Sequence, residues 1–420
     1  MAFQSMRTML LSSAIYILAA GWALAADVPS WHQFHGPRGD NLSIEKGFLK
    51  EWPKDGPKLV WTATGIGQGF ASVAISGGMI YTAGNLDGNT EVIALDLDGK
   101  ILWHTKCGKG WTSDPGGTRA TPTIDGSQLY YETPYGDVVC LDAKTGKKVW
   151  GLNLLEEFGS KNITWGLAES LLIDGDRLIC LPAGPKVSVV ALDKRTGKIV
   201  WKAPSASGDL AGYATASLVN YQGLRMILTM TGQALIGVDA DCGALLFRYP
   251  HKTAYDVNAT SPIFHEGQIF ITSGYGTTGS VMLKVLVDGQ KARVEKVWDS
   301  RELDNHHGGA ILVDGCLYSA AHNLNGGKWI CLDWKTGKMH YAERGVGKGS
   351  LTYADGMLYT LSESRGVGLV QATPDRHKLV GEFKTPQGPE GPTWAHPVVV
   401  GGRLYIRHDS KLYAYEVKAP

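Results

Sequence analysis

Short runs that alternate apolar and polar side chains, each opened by a tight turn, recur along nearly the whole 420-residue chain. Alternation of this kind puts every second side chain on one face and marks half-buried β-strands. One class of run follows a turn ending in glycine, at 78–83, 126–132, 175–181, 223–230, 267–273, 315–320, 356–361 and 402–407. A shorter apolar run precedes that glycine, as at 71–76, 120–124, 170–173 and 261–264. Asp-Gly joins the two at Asp125-Gly126, Asp174-Gly175, Asp314-Gly315 and Asp355-Gly356. That dipeptide is a strong hairpin signal, because the turn needs positive φ. The pattern predicts antiparallel strand pairs throughout.

A second motif repeats just downstream of each pair. Ala94-Leu95-Asp96 leads to Trp103, Cys140-Leu141-Asp142 to Trp150, and Ala191-Leu192-Asp193 to Trp201, while Cys331-Leu332-Asp333 is followed by Lys335-Thr336-Gly337-Lys338. The interval is about 47 residues or a multiple of it, the length of a four-stranded propeller unit. Weaker copies at Gly237-Val238-Asp239, ending in Phe247, and at Met282-Leu283-Lys284, followed by Trp298, fill the gap. Tyr341 and Phe383 continue the aromatic series on the fourth strand, but the last third strand, 411–417, runs into the C-terminus. The orphan strand Lys58-Leu59-Val60-Trp61 supplies the missing partner. The fold class expected is all-β, an eight-bladed β-propeller of four-stranded antiparallel blades, closed by an N-terminal strand pairing into the last blade. In the corners, the Asp142 carboxylate can accept from backbone N–H groups across Thr145-Gly146-Lys147, so the repeated Asp and Trp carry fold rather than chemistry.

Composition sharpens this picture. Glycine makes up 54 of 420 residues without a collagen period, and 44% apolar content at a net charge of +1 excludes a disordered chain. Residues 1–26 read as a cleavable export signal, with Arg7, an apolar run over 9–25 and Ala23-Leu24-Ala25 as cleavage site. Residues 27–57 form a lead segment, and 58–418 the propeller. Removing the signal balances the charges and leaves no basic cluster, so nucleic acid is not an expected partner. No later segment is long and apolar enough to span a bilayer, and a periplasmic or secreted monomer is expected. The cysteines at 107, 140, 180, 242, 316 and 331 form no C-x-x-C and no adjacent pair, and four of them sit inside strand-like runs as small hydrophobes. None stands at the cleavage site to carry a lipid.

Chemistry is expected where the chain leads into the inner strands, since those connections surround one mouth of the central channel. These lead-ins are polar and aromatic. Arg119, Trp165, Asn258, Lys348 and Trp394 are the candidate ligand- or cofactor-binding residues, and Glu169, Asp256, His307 and His396 the candidate proton carriers. Six of them, Arg119, Glu169, Asn258, His307, Lys348 and His396, are expected to converge from six blades on one funnel. No metal is expected at His306-His307, because adjacent strand residues face opposite ways and no carboxylate stands at metal spacing. Gly345-Val346-Gly347-Lys348-Gly349-Ser350 is not a phosphate loop, since Gly separates Lys from Ser.

The recurrent Ala-Leu-Asp-x-x-Thr-Gly-Lys-x-x-Trp pattern resembles the repeats of the pyrroloquinoline-quinone (PQQ)-like propellers. That superfamily holds the quinoprotein alcohol dehydrogenases and the outer-membrane assembly lipoprotein of the barrel-assembly machine. Trp31-His32-Gln33-Phe34-His35-Gly36-Pro37, followed by Asn41 and Ser43, is similar to the start of its secreted single-propeller bacterial members. The resemblance covers residues 31–418. The function expected first is that of an exported binding or scaffold protein, with a small molecule, a polysaccharide or an envelope protein at the channel mouth. The resemblance also implies an alternative, a PQQ-dependent alcohol or polyol dehydrogenase with PQQ and Ca²⁺ in the funnel and Glu169 or Asp256 as base. Against it, the adjacent cysteine pair and the calcium-holding acidic set of the large quinoproteins are not found. A third reading, an outer-membrane assembly subunit, lacks the lipid-bearing cysteine.

Overall fold

Strands of the computed structural model, which describes residues 30–420 except 183, 277–278 and 389–390, fall into eight sheets. The signal expected at 1–26 lies outside the described residues. Blades 1 to 7 occupy 74–109, 123–153, 172–204, 217–250, 263–300, 310–343 and 349–384, each antiparallel and ordered from inner to outer strand along the chain. Blade 8 takes its three inner strands from 398–416 and its outer strand from Leu59–Ala63, which pairs antiparallel with Lys411–Glu416. The chain is thus an eight-bladed β-propeller closed by its N-terminal strand. Helix among the described residues is confined to Leu154–Phe158, between blades 2 and 3.

Side-chain alternation explains why the blades stack. The second and third strands are buried on both faces, as in Leu224–Met230 and Ala234–Asp239, while fourth strands such as Lys148–Asn153 are exposed on one. The apolar residues therefore collect in layers between neighbouring blades, one layer joining blades 1 and 2 and another blades 7 and 8. The repeated corner locks each layer. Asp142 accepts from the Thr145 N–H (2.8 Å) and hydroxyl (2.6 Å), and Asp193 and Asp333 do the same with Thr196 and Thr336. Gly197, at φ +72°, lies flat against Trp150 of the preceding blade, where an added Cβ would stand 2.8 Å from the ring. The Trp150 indole N–H donates to the Lys194 carbonyl at 2.9 Å, and Trp61, Trp201 and Trp298 make the equivalent bond to Leu97, Ala240 and Trp334. Five cysteines are buried, Cys242 is exposed, and all six are free thiols.

The segment before the first blade does more than lead in. Trp31 is buried and pairs with Ile75 of blade 1, the His32 carbonyl accepts from Ile124 of blade 2, and Leu42–Ser43 runs parallel to the inner strand of blade 7. Phe48 then bridges to Lys418 beside blade 8. This stretch crosses the lower end of the channel and laces blades 1, 2, 7 and 8 together.

Candidate functional site

Strand order fixes what can reach the upper mouth. In each blade the inner strand begins there, and the turn between the second and third strands returns there. Side chains from both kinds of connection surround a funnel-shaped cavity of ≈ 210 Å³. Phe70, Trp165, Tyr213, Tyr275 and Trp394 form its aromatic wall, and Phe34 of the lacing segment its floor. Below, Phe34 also lines a second cavity of ≈ 330 Å³, so it divides the channel.

Five of the nine residues singled out from sequence line the funnel: Arg119, Trp165, His307, Trp394 and His396. Arg119 lies over the Phe70 ring, its carbon 5.7 Å from the centroid, and donates to the Pro115 (2.8 Å) and Gly117 (3.1 Å) carbonyls. Burial lowers it to about 10, opposed by the Tyr213 and Tyr131 hydroxyls, so it stays a cation at neutral pH. Among the described residues it forms no ion pair.

The other four are elsewhere, and the expected six-blade convergence does not occur. Glu169 is buried with Oε1 accepting from the Leu181 N–H at 2.6 Å, while Ala168 and Ser170 on either side of it face the funnel. Asn258 is wholly buried, donating to the carbonyls of Thr231, Gly232 and His251 and accepting from Ser273, while Val257 and Ala259 face the cavity. Period-two alternation turns both polar side chains into the blade. Asp256 is exposed in a left-handed turn, and Lys348 stands behind the wall, bonded to Glu363 and His322.

Sequence reasoning missed Phe34, Tyr275, His322 and Glu363. The last three come from turns between second and third strands, which open on the same mouth as the lead-ins; strand order was the signal that could have found them. Glu363 Oε1 lies 3.1 Å from His307 Nε2, 3.1 Å from Lys348 Nζ and 3.7 Å from His306 Nδ1. His306 Nε2 is 2.6 Å from the Tyr275 hydroxyl, and its ring stacks on His322. His396 Nε2 donates to the His307 carbonyl at 2.9 Å, and its Nδ1 lies 3.0 Å from His35 Nε2. His306 and His307 do not diverge as strand neighbours would. They precede the inner strand Ala310–Val313, in irregular backbone with ring centroids 4.5 Å apart, and blade 7 brings a carboxylate to both. Contrary to the expectation from strand alternation, the two rings lie on one side and a carboxylate stands within reach of both.

Burial sets the charge state here. It pushes His307 down to about 3 and His396 and His322 to about 4, leaving neutral imidazoles at neutral pH. Burial would raise Glu363, but the adjacent His306 and His307 and the charge of Lys348 outweigh it and hold the carboxylate well below its usual range.

Residues 88–343 match the PQQ_2 family model, described as outer membrane protein assembly factor BamB. The chain belongs to the PQQ_2 family. Two members named outer membrane protein assembly factor BamB are similar to it: that of Moranella endobia, 23% identical over 60% of this chain and 64% of its own, and that of Yersinia pestis, 25% identical over 57% and 59%. The chain thus spans about three-fifths of the length of these curated relatives. Among solved structures, the quinohemoprotein alcohol dehydrogenase from Comamonas testosteroni shares the fold, with a TM-score of 0.65 at 13% identity over 95% of this chain and 82% of its own.

The PQQ_2 funnel of this chain does not fit PQQ held by Ca²⁺. That ion takes six to eight oxygen ligands, roughly, with several carboxylates among them. Of the acidic candidates, Glu169 points into the blade and Asp256 sits exposed outside the cavity, which leaves Glu363 as a single carboxylate where Ca²⁺ would need several. The donors that face the funnel are imidazoles, which suit other metals.

Proposed function

We propose that this PQQ_2 propeller is an exported binding protein whose funnel takes a small, flat, anionic molecule. The observation that carries the reading is Arg119, a cation in an aromatic wall with no carboxylate paired to it among the described residues. A carboxylate on a ring stacked among Trp165, Tyr213 and Trp394 would supply the missing charge. At ≈ 210 Å³ the cavity lies below the roughly 300 to 1,000 Å³ of drug-sized sites, which favours a single ring over a polysaccharide. A dehydrogenase is disfavoured because neither proposed base is placed to act. Glu169 is sealed in the blade and, raised by burial to about 8, is protonated at neutral pH; Asp256 lies outside the cavity.

Titration with benzoate and 4-hydroxybenzoate, followed by tryptophan fluorescence, tests the reading. Saturable binding is expected, with Arg119→Gln weakening it about 10- to 100-fold, the loss of one charged hydrogen bond. Equal affinity in the variant, or no saturation at millimolar ligand, would sink it. Dye-linked alcohol oxidation with added PQQ and Ca²⁺ is expected to show no turnover, and turnover abolished by Glu169→Gln would restore the dehydrogenase. The assembly-factor relatives favour a second reading, an envelope protein at the same mouth, where Tyr255 is 62% exposed. Capture of envelope proteins that Arg119→Gln abolishes would favour it.

A further inference from the structure

We propose that His306, His307 and Glu363 form a binding site for a divalent first-row transition-metal ion, open towards the funnel. Three observations carry it. One atom from each residue, His306 Nδ1, His307 Nε2 and a Glu363 oxygen, lies within 4.8 Å of the other two, a triangle that one ion at the usual distance of about 2.1 Å can span with small side-chain shifts. His306 Nδ1 is buried and has no hydrogen-bond partner, an arrangement folded proteins rarely leave without a reason. His306 Nδ1 faces the same space as His307 Nε2 and Glu363 Oε1, and in the tautomer whose Nε2 donates to the Tyr275 hydroxyl it carries a lone pair there.

The surroundings are those of an outer ligand shell. Tyr275 bonds His306 Nε2, His396 holds the His307 backbone, and Lys348 pins the carboxylate while reaching His322. Partners of this kind orient metal ligands and are commonly worth 10- to 100-fold in affinity. The backbone enforces the meeting. A Cβ on Gly308 would stand 1.9 Å from the Gly349 carbonyl, so the histidine loop lies flush on blade 7. The Glu363 N–H in turn donates to Lys348 and its carbonyl accepts from Thr393.

Two imidazoles and one carboxylate select zinc, cobalt, nickel or copper over calcium and magnesium, which need more oxygens. His306 and His307 line the funnel, so a fourth position faces its contents and could take water or an anionic ligand group. The metal site stands on its own geometry and does not depend on the aromatic-carboxylate reading.

Full-length chelator-treated protein is titrated with Co²⁺, read by visible absorption, and with Zn²⁺, read by competition with a chromophoric chelator. One equivalent is expected to bind in each case, while Ca²⁺ fails to compete. Glu363→Gln and His306→Ala should each weaken Zn²⁺ binding at least 10-fold, and His104→Ala, at an exposed histidine on the outer strand of blade 1, should not. Circular dichroism confirms the fold of each variant, and Glu363→Gln decides alone if His306→Ala is unstable. Absence of stoichiometric binding at tens of micromolar ion, or binding that survives Glu363→Gln in the folded protein, overturns the proposal. Neither outcome alters the test with benzoate, which is run in chelator.

Discussion

Glu132 and Glu169 are buried side by side where blade 2 meets blade 3, and neither Glu132 oxygen finds a well-aligned partner. Burial raises both carboxyls, Glu132 well above the ordinary range with the neighbouring Glu169 adding to it, and Glu169 to about 8. The folded state therefore holds these protons more tightly than the unfolded chain. The contribution of Glu169 to stability is full below about pH 4.5 and is lost as pH rises through about 8. Melting temperature is expected to fall over that range, and Glu169→Gln to flatten the decline; an unchanged slope in the variant would refute the assignment. The same two-residue alternation explains what could be read of the site. Positions 119, 165, 307, 394 and 396 were legible as polar or aromatic lead-ins, whereas the facing of 169 and 258 depends on where each strand's register begins. A stretch of sequence does not show that phase when both faces of the strand are covered.

Among the elements, the Asp-x-x-Thr-Gly corner was the most legible, because its side-chain bonds are local. The role of its glycine was only half visible. Positive φ can be read from the turn, but the indole lying on Gly197 comes from the previous blade. Gly197→Ala should therefore cost about 3 kcal/mol, the left-handed strain plus the clash with Trp150. Gly356→Ala, at φ +81° with open space around it, should cost only about 1 kcal/mol. Denaturant midpoints of the two variants check this, and equal losses would remove the packing argument. The turns between second and third strands were not legible as site elements. Nothing in their composition marks Tyr275, His322 or Glu363, and only the up-and-down order of strands brings them to the funnel.

At the scale of the whole ring, the seam between blades 8 and 1 concentrates the unusual chemistry. Arg407, 2% exposed, donates to the carbonyls of Gly67, Ala71, Ala83 and Asp409 and to the Thr82 hydroxyl. One guanidinium thus ties blade 8 to the backbone of blade 1. Arg407→Met should cost about 3 kcal/mol, since it strands several buried carbonyls, and should speed hydrogen exchange at 59–63 before other strands. Exchange that rises uniformly around the ring would contradict the seam role. The orphan strand at Trp61 announced the closure in the sequence, but Arg407 looked like an ordinary strand end, and the lacing by Trp31, Leu42 and Phe48 has no local signature.

The pairing of Leu59 with Tyr415 has a consequence in time as well as in space. The strand that completes the ring, Leu59–Ala63, is synthesised long before its partner Lys411–Glu416, with seven blades between them. Until the C-terminal hairpin emerges, Leu59–Ala63 has no edge to join and the blades have no closed circle. Such distant contacts make folding slow. Ring closure therefore waits on the last blade, whatever the order in which the other seven form.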